Sequence, residues 1–215
     1  MRASRPHPWL LLHPLYRHDR HPLVFQTLCS STVSYSHGFL HDSVFLTNSA
    51  PILYLHSEET KYPTGLTTFL AHTTPQVNYT AVADVPSPLP LSNVNQLGED
   101  VYLTSNDDPT SDPDWLKGTA PDSNGATSGI NSAIIVNEKN DSSVDVFYFY
   151  FYAFDRGALN IGNHVGDWEH SMIRFVNKTP SALWYSQHSA GQAFKYSAVQ
   201  KYQDGVGNLR VSRNY

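Results

Sequence analysis

The chain has 215 residues and a formal net charge of −5 at pH 7, and charged residues make up only 15% of it. A negative balance with no basic run provides no electrostatic surface for nucleic acid, and no apolar segment reaches the roughly 18 residues of a membrane span. The single cysteine, Cys29, excludes an internal disulfide framework. We therefore expect one domain, most simply a monomer, whose ligand or protein partner the composition does not identify.

Residues 1–45 differ in composition from the rest of the chain. Six of the eleven histidines lie in the first 41 residues, among arginines and prolines and without a period. This composition predicts a disordered tail or a misassigned start of the gene. The apolar run Trp9–Leu12 stops at His13 and Pro14, which is too short for the core of a signal peptide. Localisation is therefore left open between the vacuolar or secretory route and the cytoplasm.

From residue 46 onwards the pattern is typical of β-structure. Ala50–His56 predicts a first strand, and the prolines at positions 86, 88 and 90 predict an extended connector. Residues 105–114, SNDDPTSDPD, form an acidic loop. Because this loop lacks the glycine and the terminal glutamate of a calcium-binding loop, we interpret it as a solvated turn.

In the second half, short apolar runs recur about every ten residues between turn signals. They predict strands at 133–136, 144–154, 167–176, 182–188 and 193–199. In the run VDVFYFYFYAF, phenylalanines occupy one face of the strand and tyrosines the other, so we expect a central strand covered on both faces. The prediction is an all-β fold, a single antiparallel β-sandwich over residues 46–215 with long loops.

The segment GNHVGDWEH concentrates groups that bind metals or transfer protons. On an extended strand Asp167 and Glu169 point to the same face, about 7 Å apart. The glycines that flank His164 allow the chain to bring its imidazole towards them. Two carboxylates and one imidazole suit a divalent cation, Ca²⁺, Mg²⁺ or Mn²⁺, and the imidazole shifts the preference towards Mn²⁺ or another transition ion.

Four neighbouring residues are assigned by their position in this pattern. Asp155 ends the preceding strand and His188 ends the run WYSQH, so both are candidates for the same site. Trp168 and His170 are expected on the opposite face, with Trp168 in the core. No GxSxG nucleophile elbow occurs in the chain.

Two other interpretations stay open. In the first, the carboxylates pair with Arg174 and Lys195 while His164 hydrogen-bonds a turn, because charged residues near strand ends are usually solvated. In the second, one carboxylate is a general base and His164 or His188 is the acid.

Six blocks of the chain resemble, in the same order, the fungal vacuolar protein sorting-associated protein 62 family over about residues 50–202. They are APILYLHSEETKYP, VYLTSNDDP, WLKG, VDVFYFYFYAF, GNHVGDWEHSMIRF and WYSQHSAGQAF. The family name implies a role in delivering proteins to the vacuole and implies no chemistry. The end of the chain, GVGNLRVSRNY, departs from the family pattern. We therefore expect a C-terminally truncated sandwich that lacks a strand and has an exposed edge.

A second, local resemblance is to the secreted necrosis-inducing proteins of plant pathogens, in which a GHRHDWEH block follows an aromatic strand. This resemblance implies a β-sandwich with a divalent cation at the block, and the matching ligands in this chain are His164, Asp167, Glu169, Asp155 and His188. Gly166 stands where those proteins carry a second histidine. A function that depends on that histidine is not implied.

These observations favour a non-enzymatic protein of the vacuolar protein sorting-associated protein 62 type, with a loop face stabilised by a divalent cation. The alternative is a metal-dependent hydrolase, or a secreted protein that acts on membranes or glycans, with the same centre. Three Asn-x-Ser/Thr sequons, at Asn78, Asn140 and Asn177, matter only if the chain enters the secretory route.

Overall fold

The computed structural model describes residues 23–25, 33–34, 50–55, 58–123, 127, 132–140, 142–157, 160–187, 190–199, 201 and 210–212. Its strands are β1 Leu23–Phe25, β2 Val33–Ser34, β3 Ile52–Leu55, β4 Thr73–Val77, β5 Thr80–Ala81, β6 Tyr102–Ser105, β7 Ser132–Asn140, β8 Ser143–Asp155, β9 His164–Val176, β10 Thr179–Gln187, β11 Ala190–Lys195 and β12 Arg210–Ser212. The helical segments are α1 Leu66–Ala71 and the 3-10 turns Leu91–Gln96, Pro109–Ser111, Asp114–Lys117 and Tyr196–Ala198. The predicted all-β fold is confirmed.

The main sheet is a meander of neighbouring strands. Its order is β11-β10-β9-β8-β7-β2, with antiparallel pairing from β7 to β11 and a parallel pairing of β2 with β7. The aromatic strand β8 lies between β7 and β9, as its two apolar faces predict. Short turns join β7 to β8 and β9 to β10 at one end of the meander. Residues 156–163, which join β8 to β9, are a longer connection at the other end.

The tyrosine face of β8 packs into the larger apolar cluster. Tyr148 and Tyr152 are 2% and 1% exposed, and Leu53 and Leu55 of β3 pack on this face together with residues from β7, β9 and β10. The Tyr150 hydroxyl donates to the carbonyl of Pro51, 3.3 Å away. The Tyr150 hydroxyl therefore reaches a polar partner beside an otherwise apolar layer.

Among the described residues, those that cover the phenylalanine face lie at one end of it. There Phe69 of α1 lies edge-on to Phe151, with ring centroids 4.8 Å apart, and Leu116 is buried beside them. Trp168, the partner of Phe151 on β9, is nevertheless 43% exposed, and Ile135, the partner of Phe147 on β7, is 50% exposed. The expectation that Trp168 is a core residue is therefore wrong, because no described segment covers this part of the sheet.

Two smaller sheets complete the described fold. β3 pairs antiparallel with β1 and parallel with β12, and β4 pairs antiparallel with β5 and β6. The predicted final strand at 193–199 is shorter than expected, because the chain leaves β11 at Lys195 and turns at Tyr196–Ala198.

The predicted domain boundaries stay a prediction. Within residues 1–45 the structure describes only β1 and β2, and the rest of the predicted tail lies outside the described residues. The predicted C-terminal truncation is likewise not tested by the pairing of β12. Among the helices of the described chain, none is long and apolar enough to cross a bilayer.

Candidate metal centre

The centre forms where β8 ends and β9 begins. Asp155, the last residue of β8, is the cross-strand partner of His164, the first residue of β9. The intervening loop is fixed by local hydrogen bonds, since the backbone N–H of Gly157 donates to the side-chain oxygen of Asn163 at 3.0 Å. Gly162 lies in the left-handed region at φ 80°. The chain therefore returns to the sheet with His164 directly opposite Asp155.

A second glycine brings Asp167 to the same point. Residues three apart on a regular strand project to opposite faces, yet His164 Nε2 lies 3.5 Å from Asp167 Oδ1. Gly166, which lies between them, has a φ of 78° and interrupts the alternation of β9. A Cβ at Gly166 would lie 3.3 Å from the ring of Phe69, so that ring would have to move by a few tenths of an ångström to accommodate it.

Asp155, His164 and Asp167 each offer one ligand atom, and these atoms all lie within 4.8 Å of one another. The three side chains form a gradient of exposure. Asp155 is only 6% exposed, whereas the side chains of Asp167 and His164 are 20% and 49% exposed. The group therefore has a buried carboxylate at its base and an imidazole at the surface, and its donors suit a divalent cation.

The imidazole of His164 is held in one tautomer. Its Nδ1 lies 2.9 Å from the carbonyl oxygen of Gly162. Because a carbonyl can only accept, Nδ1 carries the proton and the lone pair of the neutral ring lies on Nε2, beside the carboxylates. Histidine ligands of metals commonly donate their other ring N–H in this way. The Gly162 hydrogen bond, followed by Asp167, raises the pKa of His164 against the opposing effect of burial.

The other residues of the predicted site are placed differently. Glu169 of β9 is the cross-strand partner of Tyr150 of β8. It is not part of the group that the structure brings together, so its role as a ligand stays a prediction. His188 lies outside the described residues. Asp155, which the sequence matched only approximately, directly faces His164.

Trp168 and His170 lie against the phenylalanine face. Trp168 contacts Phe151, with centroids 4.9 Å apart, and His170 stacks on Phe149 at 4.7 Å. Burial in this layer lowers the pKa of His170. Trp168 and His170 are the cross-strand partners of Phe151 and Phe149, and neither belongs to the group formed by Asp155, His164 and Asp167.

Arg174 forms a different ion pair from the one expected in the solvated interpretation, whereas His164 makes the hydrogen bond to a turn that this interpretation includes. Arg174 donates to both oxygens of Asp145, at 2.7 and 2.8 Å, rather than to the carboxylates of the site. In the acidic loop, Asp112 pairs with the buried Lys61 and Asp114 pairs with Lys117. Within the described part of the chain, Asp155, His164 and Asp167 are the set of three ligand-bearing side chains that lie close enough together to hold one ion.

One of the open interpretations has His164 hydrogen-bonded to a turn, and the structure makes that bond to the carbonyl of Gly162, an acceptor that the sequence did not identify. A histidine two residues after a glycine is compatible with many turns, so the spacing alone does not indicate this hydrogen bond. The positive φ of the glycine is the signal that identifies it in the structure.

The sequence is similar to a known family and to two curated relatives. Residues 152–212 match the family model described as vacuolar protein sorting-associated protein 62. Vacuolar protein sorting-associated protein 62 of Saccharomyces cerevisiae is 32% identical over 177 residues, which cover 73% of this chain and 38% of the relative. TDA6 of the same yeast, provisionally named as a vacuolar protein sorting-associated protein, is 44% identical over 110 residues, or 48% of this chain and 24% of the relative.

The matched part of the chain therefore spans less than half of either relative. No solved structure matches the chain. The predicted resemblance to the vacuolar protein sorting-associated protein 62 family is confirmed, whereas the resemblance to necrosis-inducing proteins stays a prediction.

Proposed function

From its place in the vacuolar protein sorting-associated protein 62 family, we propose that this chain is a non-enzymatic sorting component whose loop face is stabilised by a divalent cation. The observation that carries the proposal is the convergence of Asp155, His164 and Asp167 within 4.8 Å of one another, with the tautomer of His164 held by Gly162. The names of the yeast relatives support the sorting role.

The donor set favours a particular class of ion. Carboxylate oxygens alone suit Ca²⁺ and Mg²⁺, and a neutral imidazole beside them shifts the preference towards Mn²⁺ or another transition ion. We therefore expect Mn²⁺ to bind more tightly than Ca²⁺ or Mg²⁺.

A cation held here would connect three parts of the chain. Asp155 belongs to the end of β8, whereas His164 and Asp167 stand on either side of the break at Gly166 in β9. Binding would fix the two strand ends relative to each other and so reinforce the hydrogen bond from Gly157 to Asn163 that already joins the two sides of the connection. An ordered, partly exposed loop is suited to presenting a recognition surface.

The second candidate function is metal-dependent hydrolysis. The exposure of the His164 side chain, 49%, favours it, because a catalytic ion keeps a coordination position open to water or substrate. The open side is equally suited to a ligand that binds without reacting, so activity distinguishes the two candidates.

Thermal denaturation of chelator-treated protein, with and without each ion, tests the cation. We expect a gain of about 2.7 kcal/mol when Mn²⁺ is present at about one hundred times its dissociation constant. Asp167→Asn should abolish the gain. Asp114→Asn should keep it, because Asp114 is an exposed carboxylate that pairs with Lys117 elsewhere. An equal gain in both variants would contradict the site.

Complementation and activity assays test the rest of the proposal. In yeast lacking the related protein, expression of this chain should reduce secretion of vacuolar hydrolases into the medium, and Asp167→Asn should reduce it less. Failure of the wild-type chain would contradict the sorting role. Turnover of ester or phosphodiester substrates by the Mn²⁺-loaded protein, lost in Asp167→Asn, would contradict the non-enzymatic assignment.

A further inference from the structure

All three sequons of the chain fall on turns between adjacent antiparallel strands. The turn between β4 and β5 consists of Asn78 and Tyr79, with φ of 49° and 63°, and Thr80 begins β5. All three residues are exposed, and Tyr79 is 98% exposed. The side-chain amide of Asn78 therefore stands on a projecting tip of the structure.

The other two sequons lie side by side at one end of the main sheet. Asn177 and Lys178 form the turn from β9 to β10, with φ of 49° and 62°. In the turn from β7 to β8, the side-chain oxygen of Asn140 accepts from the backbone N–H and the hydroxyl of Ser142, each at 3.0 Å. The backbone N–H of Asn177 donates to the carbonyl of Ser142 at 2.7 Å, so the two turns are neighbours.

Turn geometry explains the asparagines, and in two of the sequons the hydroxyl residue also bonds within its turn: the Ser142 hydroxyl donates to the side-chain oxygen of Asn140, and the Thr179 hydroxyl donates to the carbonyl of Asn177 at 3.5 Å. Asparagine tolerates the left-handed conformation that both residues of a tight hairpin turn require. The structure of the turn does not by itself require a hydroxyl residue two positions after Asn78. Thr80 begins β5, where several β-branched residues would serve equally, and a sequon needs Ser or Thr at that position.

We propose that the chain carries N-linked glycans at Asn78 and on the paired turns of Asn140 and Asn177. In the reaction, the side-chain nitrogen of asparagine forms a bond to the anomeric carbon of a lipid diphosphate-linked oligosaccharide. The bond from that carbon to the diphosphate oxygen breaks, the lipid diphosphate leaves with the electron pair, and the amide nitrogen loses a proton. The donor is met only in the lumen of the secretory route, so the proposal also places these turns there.

The positions of the paired turns are compatible with the candidate metal centre. Ser143 and Val176 form the first pair of the β8–β9 ladder, and Asp155 and His164 form the last. Thirteen residues of β8 at about 3.3 Å per residue put the two ends roughly 40 Å apart. Glycans at Asn140 or Asn177 would therefore leave the centre uncovered.

The test is expression of the full chain in Saccharomyces cerevisiae, followed by endoglycosidase digestion, gel mobility and peptide mass spectrometry. The chain should run as a slower species that shifts on digestion, and Asn78→Gln should remove one step of that shift. Thr80→Ala should have the same effect while keeping Asn78 in its turn, whereas Thr80→Ser should retain the glycan. Asn95→Gln is the matched control, because Asn95 is exposed and lies outside any sequon.

Each outcome of this experiment either supports or overturns glycosylation at these turns. A glycan at Asn78 together with a glycan at one or both of Asn140 and Asn177 supports the proposal. A chain whose mobility does not change on digestion, or one unmodified at Asn78 or at both paired turns, overturns it. Loss of the Asn78 glycan in Thr80→Ser as well as in Thr80→Ala would show that the hydroxyl is not what determines the site, which also overturns it.

Discussion

At the scale of single residues, the two described histidines of β9 differ in what surrounds their rings. His164 donates to the carbonyl of Gly162 and lies beside two carboxylates, whereas His170 is packed against Phe149 and Phe147. The first environment favours the charged imidazolium and raises the pKa of His164, and the second disfavours it and lowers the pKa of His170.

The metal-free protein should therefore show two histidine titrations on opposite sides of the ordinary value of about 6.5. The protonated ring of His164 stabilises the fold. This stabilisation is fully present below pH 6.5 and is lost as the pH rises through the raised pKa of His164. His170 stabilises the fold above 6.5, and this stabilisation is lost as pH falls through its lowered pKa. NMR of the ring protons, assigned with His164→Gln and His170→Gln, measures both values, and the reverse order would contradict the assigned environments.

Gly166 is the residue that allows the metal group to form. Its φ of 78° disfavours any side chain, and a Cβ would meet the ring of Phe69 at 3.3 Å. Gly166→Ala should lower the free energy of unfolding by roughly 1–3 kcal/mol and should also abolish Mn²⁺ binding.

Substitutions at two other glycines distinguish backbone strain from steric contact as the cause of the lower stability expected for Gly166→Ala. Gly162→Ala introduces strain at a φ of 80° without a steric contact, and Gly98→Ala introduces neither. Urea denaturation should rank the losses as Gly166→Ala, then Gly162→Ala, then Gly98→Ala. A Gly166→Ala protein as stable as the wild type would show that the backbone does not require glycine there.

At the scale of elements, the pairing of β8 with β9 determines which side chains meet. Asp145 and Arg174 are direct cross-strand partners, and Asp145 is only 2% exposed. The carboxylate is held by two hydrogen bonds from the guanidinium, with Lys139 at 3.7 Å. This arrangement compensates the carboxylate for its loss of water.

Arg174→Ala should therefore lower the free energy of unfolding by about 1.5–3 kcal/mol, because it leaves a buried carboxylate without its main partner. Lys117→Ala removes an exposed ion pair with Asp114 and should cost less than about 1 kcal/mol. Urea denaturation at pH 7 measures both. Equal losses would mean that burial of Asp145 does not matter.

The sequence predicts the elements better than it predicts the site. The alternation of phenylalanine and tyrosine in β8 correctly predicts a central strand, because the two-residue period assigns each side chain to a face. The same rule predicts that Asp167 and Glu169 act together, which stays a prediction, and it does not predict that Asp167 lies beside His164, since it assumes a regular strand. The left-handed Gly166 brings Asp167 beside His164, and a φ angle at glycine is not determined by the local pattern. The exposure of Trp168 depends on which segments cover the sheet, which is a tertiary property.

At the scale of the whole molecule, one strand connects the two apolar clusters. Tyr148, Tyr150 and Tyr152 of β8 belong to the larger cluster, and Phe151 and Ala153 of the same strand belong to the smaller one with Phe69. Neither cluster can be lost without exposing a face of β8. We therefore expect both to unfold in a single cooperative transition.

Truncations in the two clusters test this coupling. Phe69→Ala should cost about 3–5 kcal/mol and Ile173→Ala about 2–5 kcal/mol, because both residues are buried, at 5% and 0% exposure. Fluorescence and far-ultraviolet circular dichroism should give coincident transitions for each variant. Two separated transitions in Phe69→Ala would contradict a shared cooperative unit.

The measurement that tests the central claim most directly is calorimetric titration of Mn²⁺ into the chelator-treated full chain at pH 7.5. We predict a single binding site, weakened by roughly tenfold or more in Asp155→Asn and in His164→Gln, and unchanged in Asp114→Asn. Binding of Mn²⁺ with the same affinity by Asp155→Asn and the wild type, or no binding by the wild type, would contradict a metal centre at the junction of β8 and β9.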